Sequence, residues 1–300
     1  MYDYFLLFTF TSQIQILMMN KKIAIGSIAI IMLLTATFSA NAQTEKKKDR
    51  KHEIYFSWGY NKETYTNSNI RVNQPSLGNN YTWVNINGQD HPGWDEGIFH
   101  KALSIPQYNY RLGMFLNRRK GWAVEINFDH TKFLFEDQTA RLNGTLHGKQ
   151  VDTLIHFNDA NGYYYYLNNG ANFLLFNLVK RWNLVADRSG NVKIDALAKL
   201  GVGPVIPHVQ DGFFLDSTSG VLQEKPNNPH FQLGGWNVGA EAAIRATFGH
   251  YVYLEYSNKV DYARYSGLKI YEGTAKQAFG TYEMILSLGL TIPTGRRAEE

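Results

Sequence analysis

From Glu53 onward, apolar and polar side chains alternate with a period of two. Ile54, Phe56, Trp58 and Tyr60 are interleaved with Tyr55, Ser57, Gly59 and Asn61. Tyr108, Tyr110, Leu112, Met114 and Leu116 alternate with Gln107, Asn109, Arg111 and Gly113. Trp122, Val124, Ile126 and Phe128 alternate with Ala123, Glu125, Asn127 and Asp129. The pattern returns at Val192, Ile194, Ala196, Ala198 and Leu200 against Lys193, Asp195 and Lys199, and at Trp236, Val238, Ala240, Ala242 and Ile244 against Glu241 and Arg245. Val252, Leu254 and Tyr256 oppose Glu255 and Ser257, and Tyr282 through Ile292 oppose Glu283, Ser287 and Gly289. Phe173–Trp182 is apolar on both parities, with Asn177 and Arg181 on one side. A period of two puts the two sets on opposite faces of a strand. Segments of about 9–16 residues match strands that cross a bilayer. Eight strands are predicted, within a range of eight to ten.

The connections sort by length. Long segments near residues 62–104, 134–171 and 207–231 alternate with short ones at Asn117–Gly121, Asp187–Asn191 and Gly249-His250, and residues 260–279 form an intermediate one. Membrane barrels show this asymmetry, with long loops on one rim and tight turns on the other. The long segments show no periodicity to read. Small residues on the apolar face (Ala196, Ala198, Ala240, Ala242) suit lipid better than a closed core, and Trp58, Tyr60, Trp122, Trp182, Trp236 and Tyr282 sit near strand ends as interfacial girdles do. The reading is an all-β, antiparallel, up-and-down transmembrane β-barrel with extracellular loops and periplasmic turns. A soluble barrel with the apolar face inward is the alternative.

Composition narrows the function. Hydrophobic residues make up 44%, aromatics 14% and charged residues 19%, which excludes a disordered or collagen-like chain. A net charge of +4 without a concentrated basic face argues against nucleic acid as a partner. Without cysteine there is no disulfide, thiolate metal site, thiol nucleophile or lipoprotein anchor. Asn20-Lys21-Lys22, the apolar run Ile23–Phe38 and Ser39-Ala40-Asn41-Ala42 read as a signal peptide cleaved after Ala42, which assigns residues 1–42 to a leader. Residues 1–18 precede its basic start, so Met18 or Met19 is an alternative start. Residues 43–52 form a polar tail, 53–292 the barrel and 293–300 a second polar tail.

This architecture resembles the small outer-membrane β-barrel proteins of Gram-negative bacteria, of OmpA, OmpX or OmpW type. The resemblance spans Glu53 to Ile292 and rests on architecture, with no short diagnostic motif. It implies a porin-like integral protein of the cell outer membrane, non-catalytic and without cofactor, among outer-membrane lipids and lipopolysaccharide. Such barrels commonly end on an aromatic residue, whereas here Thr294–Glu300 follows Ile292-Pro293.

An eight-stranded lumen is just wide enough for side chains to fill it. Glu125, Asp129, Asp195, Lys199, Glu241, Arg245, Glu255 and Glu283 should therefore form an ion-paired network, with Glu125 or Glu241 meeting Arg245 or Lys199. A narrow solute path is the alternative. His130 with Asp129 and Glu125 offers a general base for an outer-membrane enzyme cleaving lipid A or phospholipid acyl esters, although no serine stands beside it. An amphipathic ring at the membrane surface is the plain alternative. Asp90-His91, Trp94-Asp95-Glu96, His100, His156, Asp159, His208 and Asp211 lack the tight spacing of a metal site. Tyr163-Tyr164-Tyr165-Tyr166 combines stacking area with hydroxyls and suits carbohydrate or protein recognition, or extends the barrel as a loop strand. Asp152-Thr153-Leu154 and Asp216-Ser217-Thr218 have the form of bacterial O-glycosylation sites.

Overall fold

The computed structural model describes residues 50–93, 107–135, 137–157, 165–188, 191–211 and 230–297. The expected leader, most of the N-terminal tail, residues 94–96, His100, Asp159, Tyr163, Tyr164 and residues 216–218 lie outside them. Fifteen strands run through the described residues: β1 Arg50–Tyr65, β2 Ser68–Gln74, β3 Asn79–Ile86, β4 Tyr108–Asn117, β5 Trp122–Asp129, β6 Phe133–Phe135, β7 Gln138–Leu146, β8 Lys149–Phe157, β9 Tyr165–Leu167, β10 Phe173–Ala186, β11 Val192–Val205, β12 Gln210–Asp211, β13 Gly235–Phe248, β14 Val252–Ile270 and β15 Gly273–Arg297.

Eight of these close a ring in the order β1-β4-β5-β10-β11-β13-β14-β15, with β15 returning to β1. Every pairing in the ring is antiparallel, and β15 meets β1 from Arg50↔Arg297 to Tyr65↔Thr281. Closure leaves no edge strand, which matters where no water can satisfy a free backbone group. The alternation then sorts the side chains. Leu200, Leu288 and Val260 are 62%, 60% and 57% exposed on the outside, while Arg111 and Glu283 inside are 1% and 0% exposed. A continuous apolar belt around a charged interior is the arrangement of a membrane-spanning barrel and would be an aggregation surface in water. Among the described residues no helix is long and apolar enough to cross a membrane.

The turn end is tight. Gly249 and His250 both hold positive φ (56° and 68°) in the three-residue turn between β13 and β14, which the Tyr251 N–H closes onto the Phe248 carbonyl. Gly121 (φ 69°) lies so close to β10 that a Cβ there would collide with the Arg181 carbonyl oxygen.

The other end departs from expectation. The long connections hold strands of their own. β2, β3, β7 and β8 continue the sheet outward from β15, through Arg71↔Lys276, Arg71↔Thr82, Thr82↔Asn143 and Asn143↔Asp152. β12, β9 and β6 form a second small sheet. The connection expected over residues 260–279 is instead a continuation of β14 and β15, joined across Tyr271-Glu272. These strands escape the sequence pattern because each carries only two or three inward apolar residues, such as Ile70 and Val72 in β2.

The two sheets enclose a core above the lumen: Ile70, Val72, Tyr81, Trp83, Phe133, Phe135, Leu142, Tyr165, Leu167, Tyr265 and Phe279 are buried together. Trp83 packs edge-on against Tyr81 and Phe135, and Phe279 stacks on Phe133 and Tyr265. The barrel therefore carries a folded cap on its long-loop rim. Trp83→Ala should destabilise this cap by about 3–5 kcal/mol, the usual cost of emptying a buried indole site. Limited proteolysis should then cut within β2, β3, β7 and β8 while the barrel strands stay protected.

Candidate functional site

The lumen is filled by polar side chains in three layers. At the turn end, Glu53 accepts hydrogen bonds from Arg118 Nε (2.7 Å) and Arg181 Nη1 (2.6 Å). The Arg181 guanidinium lies 3.7 Å over the Phe115 ring.

The middle layer centres on Lys199, whose Nζ is 2.9 Å from Glu255, 3.0 Å from Glu241 and 3.3 Å from Glu125. Arg111 reaches Glu241 at 2.7 Å and Glu125 at 3.8 Å, and Arg245 donates to Glu255 at 2.6 Å. Three cations thus meet three carboxylates, so the layer is neutral as a unit. Tyr55 donates its hydroxyl to Glu125 (2.8 Å), and the Arg245 guanidinium lies between the Tyr55 and Tyr253 rings at 4.6 and 4.0 Å. Glycine makes room for both rings: a Cβ on Gly113 would overlap the ring of Tyr55, and one on Gly289 the ring of Tyr253.

The upper layer centres on Lys259, 2.5 Å from Asp129, 3.0 Å from Glu283 and 3.6 Å from Asp261, with the Phe173 ring 5.2 Å away. The cap core begins directly above, since Phe173 belongs to it.

Seven of the eight expected lumen charges lie in these two layers. Asp195 does not, although it is the register partner of Arg245, because its carboxylate accepts from Asn183 (3.0 Å). Arg245 meets Glu255 rather than Glu125 or Glu241. Arg111, Lys259 and Asp261 complete the network and had a readable signal: Arg111 sits on the polar parity, and Lys259 and Asp261 continue the inward parity of Glu255 and Ser257.

The triad His130, Asp129 and Glu125 is not assembled. Asp129 turns to Lys259 and Glu125 to Lys199, both inside the barrel. His130 is buried at the upper end of β5, stacked 4.7 Å from Tyr108 with its Nδ1 2.8 Å from Asn172 Oδ1. Its backbone N–H still pairs with the Tyr108 carbonyl, and the ring is covered by Tyr108 and Asn172 and so is not open to lipid.

Within the tyrosine run, Tyr165 is fully buried and Tyr166 half-buried in β9, so Tyr165 serves the cap core and offers no open stacking face. The possible metal ligands are scattered. His91 contacts Asn168, His208 packs on Phe231, His156 lies 3.5 Å from Asp137, and Asp90 accepts from the Glu63 amide. Among the described residues no group of three His, Asp or Glu is placed to hold a metal ion. Thr153 is exposed on β8, and neighbouring Asp152 forms a two-point ion pair with Arg141.

No protein-family model and no curated protein matches this chain. Among solved structures, the chain is similar to Ail, the attachment invasion locus protein of Yersinia pestis, solved with the heparin analogue sucrose octasulfate (13% identity, 81% of this chain and 99% of that one, TM-score 0.31). It is also similar to the outer membrane protein OprG of Pseudomonas aeruginosa (9% identity, 85% and 100%, TM-score 0.35) and to the outer membrane protein AlkL in lipid bilayers (10% identity, 87% and 100%, TM-score 0.35).

Lys199→Met should strip the counterion from three buried carboxylates and destabilise the barrel by about 3–5 kcal/mol, read from urea unfolding in detergent micelles. In the cap, burial raises Asp211 to about 7. A carboxyl held above its unfolded value binds more protons when folded, so its contribution to cap stability is lost as pH rises from about 4 to about 7. Hydrogen-exchange protection in β9 and β12 should be higher at pH 5 than at pH 8, and Asp211→Asn should remove most of that difference.

Proposed function

We propose that the chain is an integral protein of the outer membrane, exported by a cleaved signal peptide, that acts without catalysis and displays its cap outside the cell for interaction with carbohydrate or protein. The observation that carries this reading is the inversion of faces: buried charge inside a closed ring, exposed apolar side chains outside. The short turns and the ends of β1 and β15 share one rim, which an exported chain leaves in the periplasm. The cap then stands at the cell surface.

The filled lumen supports a non-conducting role, because the Lys199 and Lys259 clusters occupy the axis that a solute would need. A lipid-modifying activity finds no support in the position of His130, whose ring is turned toward Asn172 and away from both carboxylates.

Unboiled protein extracted from the outer-membrane fraction should migrate differently on a denaturing gel from boiled protein, as closed barrels do in detergent. Planar bilayers containing it should show no discrete conductance steps. Recovery of the mature chain in the soluble periplasmic fraction, with no shift on heating, would overturn the proposal.

A further inference from the structure

The outer wall changes character just above the apolar belt on one side of the barrel. Trp236, Val238, Val260, Tyr262 and Tyr282 close the belt there, with Trp236 and Tyr262 in contact at 5.9 Å between ring centroids. The next outward-facing positions are basic. Arg264 is the register partner of Trp236 on one side and of Ala278 on the other; Lys276 follows two residues along β15; Arg71 on β2 is the direct partner of Lys276. Lys269 sits diagonally across, opposite Thr274. All four side chains are exposed, and their neighbours Ile70, Val72, Ala275 and Leu268 point into the cap core.

This patch has no internal counter-charge. Among the described residues, none of the four side chains makes an ion pair, and the outward acids nearest in the fold are elsewhere engaged: Glu272 at the hairpin tip accepts from Ser76, and Asp152 is taken by Arg141. Like charges placed directly opposite on neighbouring strands, as Arg71 and Lys276 are, destabilise a sheet unless something anionic lies between them. Guanidinium and ammonium groups together suit phosphate oxygens, the one by paired hydrogen bonds and the other by point charge.

We infer that Arg71, Arg264, Lys269 and Lys276 hold the phosphate groups of an outer-leaflet lipid whose acyl chains lie along the apolar belt beneath. Continuity selects a lipid over a soluble anion: the patch begins where the aromatic belt ends, at the depth of headgroups. The inference rests on the membrane reading above and deepens it by naming the partner of one face.

The test is native mass spectrometry of the full-length mature protein from micelles holding equal amounts of lipid A and dephosphorylated lipid A. Wild-type protein should retain the phosphorylated form with a preference of about ten-fold or more, the scale expected from several basic residues at a membrane surface. R71Q/R264Q/K276Q should lose that preference while keeping its shift on heating, and R71K/R264K should keep both. Equal retention of the two lipids by wild-type protein would overturn the lipid site while leaving the barrel reading intact. So would displacement of lipid A by millimolar inorganic phosphate, which would show a site that reads phosphate from solution. Absence of the heating shift in wild-type protein would instead overturn the membrane reading, and this inference with it.

Discussion

Everything in this structure depends on giving buried charge a partner where water is scarce. A ring of eight strands is too narrow for a water-filled channel, so each inward residue must find its partner among the other inward residues. Lys199 meets that demand by bridging Glu125, Glu241 and Glu255 from three different strands, β5, β13 and β14. Such a cluster sets the ring's register as much as its stability. A slip of one residue in β11 would carry Lys199 to the lipid face and turn its outward neighbours, Ala198 and Leu200, into the lumen.

The same constraint explains the distribution of aromatic rings. Outside, Trp and Tyr mark the ends of the belt. Inside, Tyr55 and Tyr253 flank the Arg245 guanidinium, and Phe115 lies under that of Arg181. Ring faces complement planar cations whose edges donate to carboxylates, so both of these arginines are engaged in their planes and above them. Gly113 and Gly289 are the small residues that let the two tyrosines lie flat across a neighbouring strand.

The legible part of the protein was whatever a period of two could reach. The outward faces of Ile54–Tyr60, Tyr110–Leu116 and Trp122–Ile126 follow from alternation alone, and the alternating connection lengths point to the closed antiparallel ring. Partner choice within the lumen was not legible, because it depends on which strands lie across the barrel. Arg245 and Glu255 are adjacent in the sheet, yet Lys199 and Glu125 face each other over β10. The cap was lost for a different reason. Its strands are short, its inward residues are few, and its sheet is completed by β14 and β15, whose sequence looks like the start of a loop after Val260. His130 shows the limit of parity at a strand end: alternation assigns a face, but not whether a neighbouring ring and side chain cover the residue there, as Tyr108 and Asn172 do.

The β14–β15 hairpin runs from the bilayer into the cap, 19 and 25 residues long, with one β-bulge in β14 between Tyr265 and Leu268. From Tyr282 at the edge of the belt to Gly273 at the tip, β15 extends roughly 30 Å at the usual rise per residue. Cap and barrel are therefore two regions of one hairpin, with β15 extended through both and the bulge confined to β14. A ligand that pulls on the cap loads that hairpin along the strand direction, in shear, where many backbone hydrogen bonds share the force at once. Whatever the cap holds is kept at a fixed height and fixed heading above the membrane, as by a mast and not a tether.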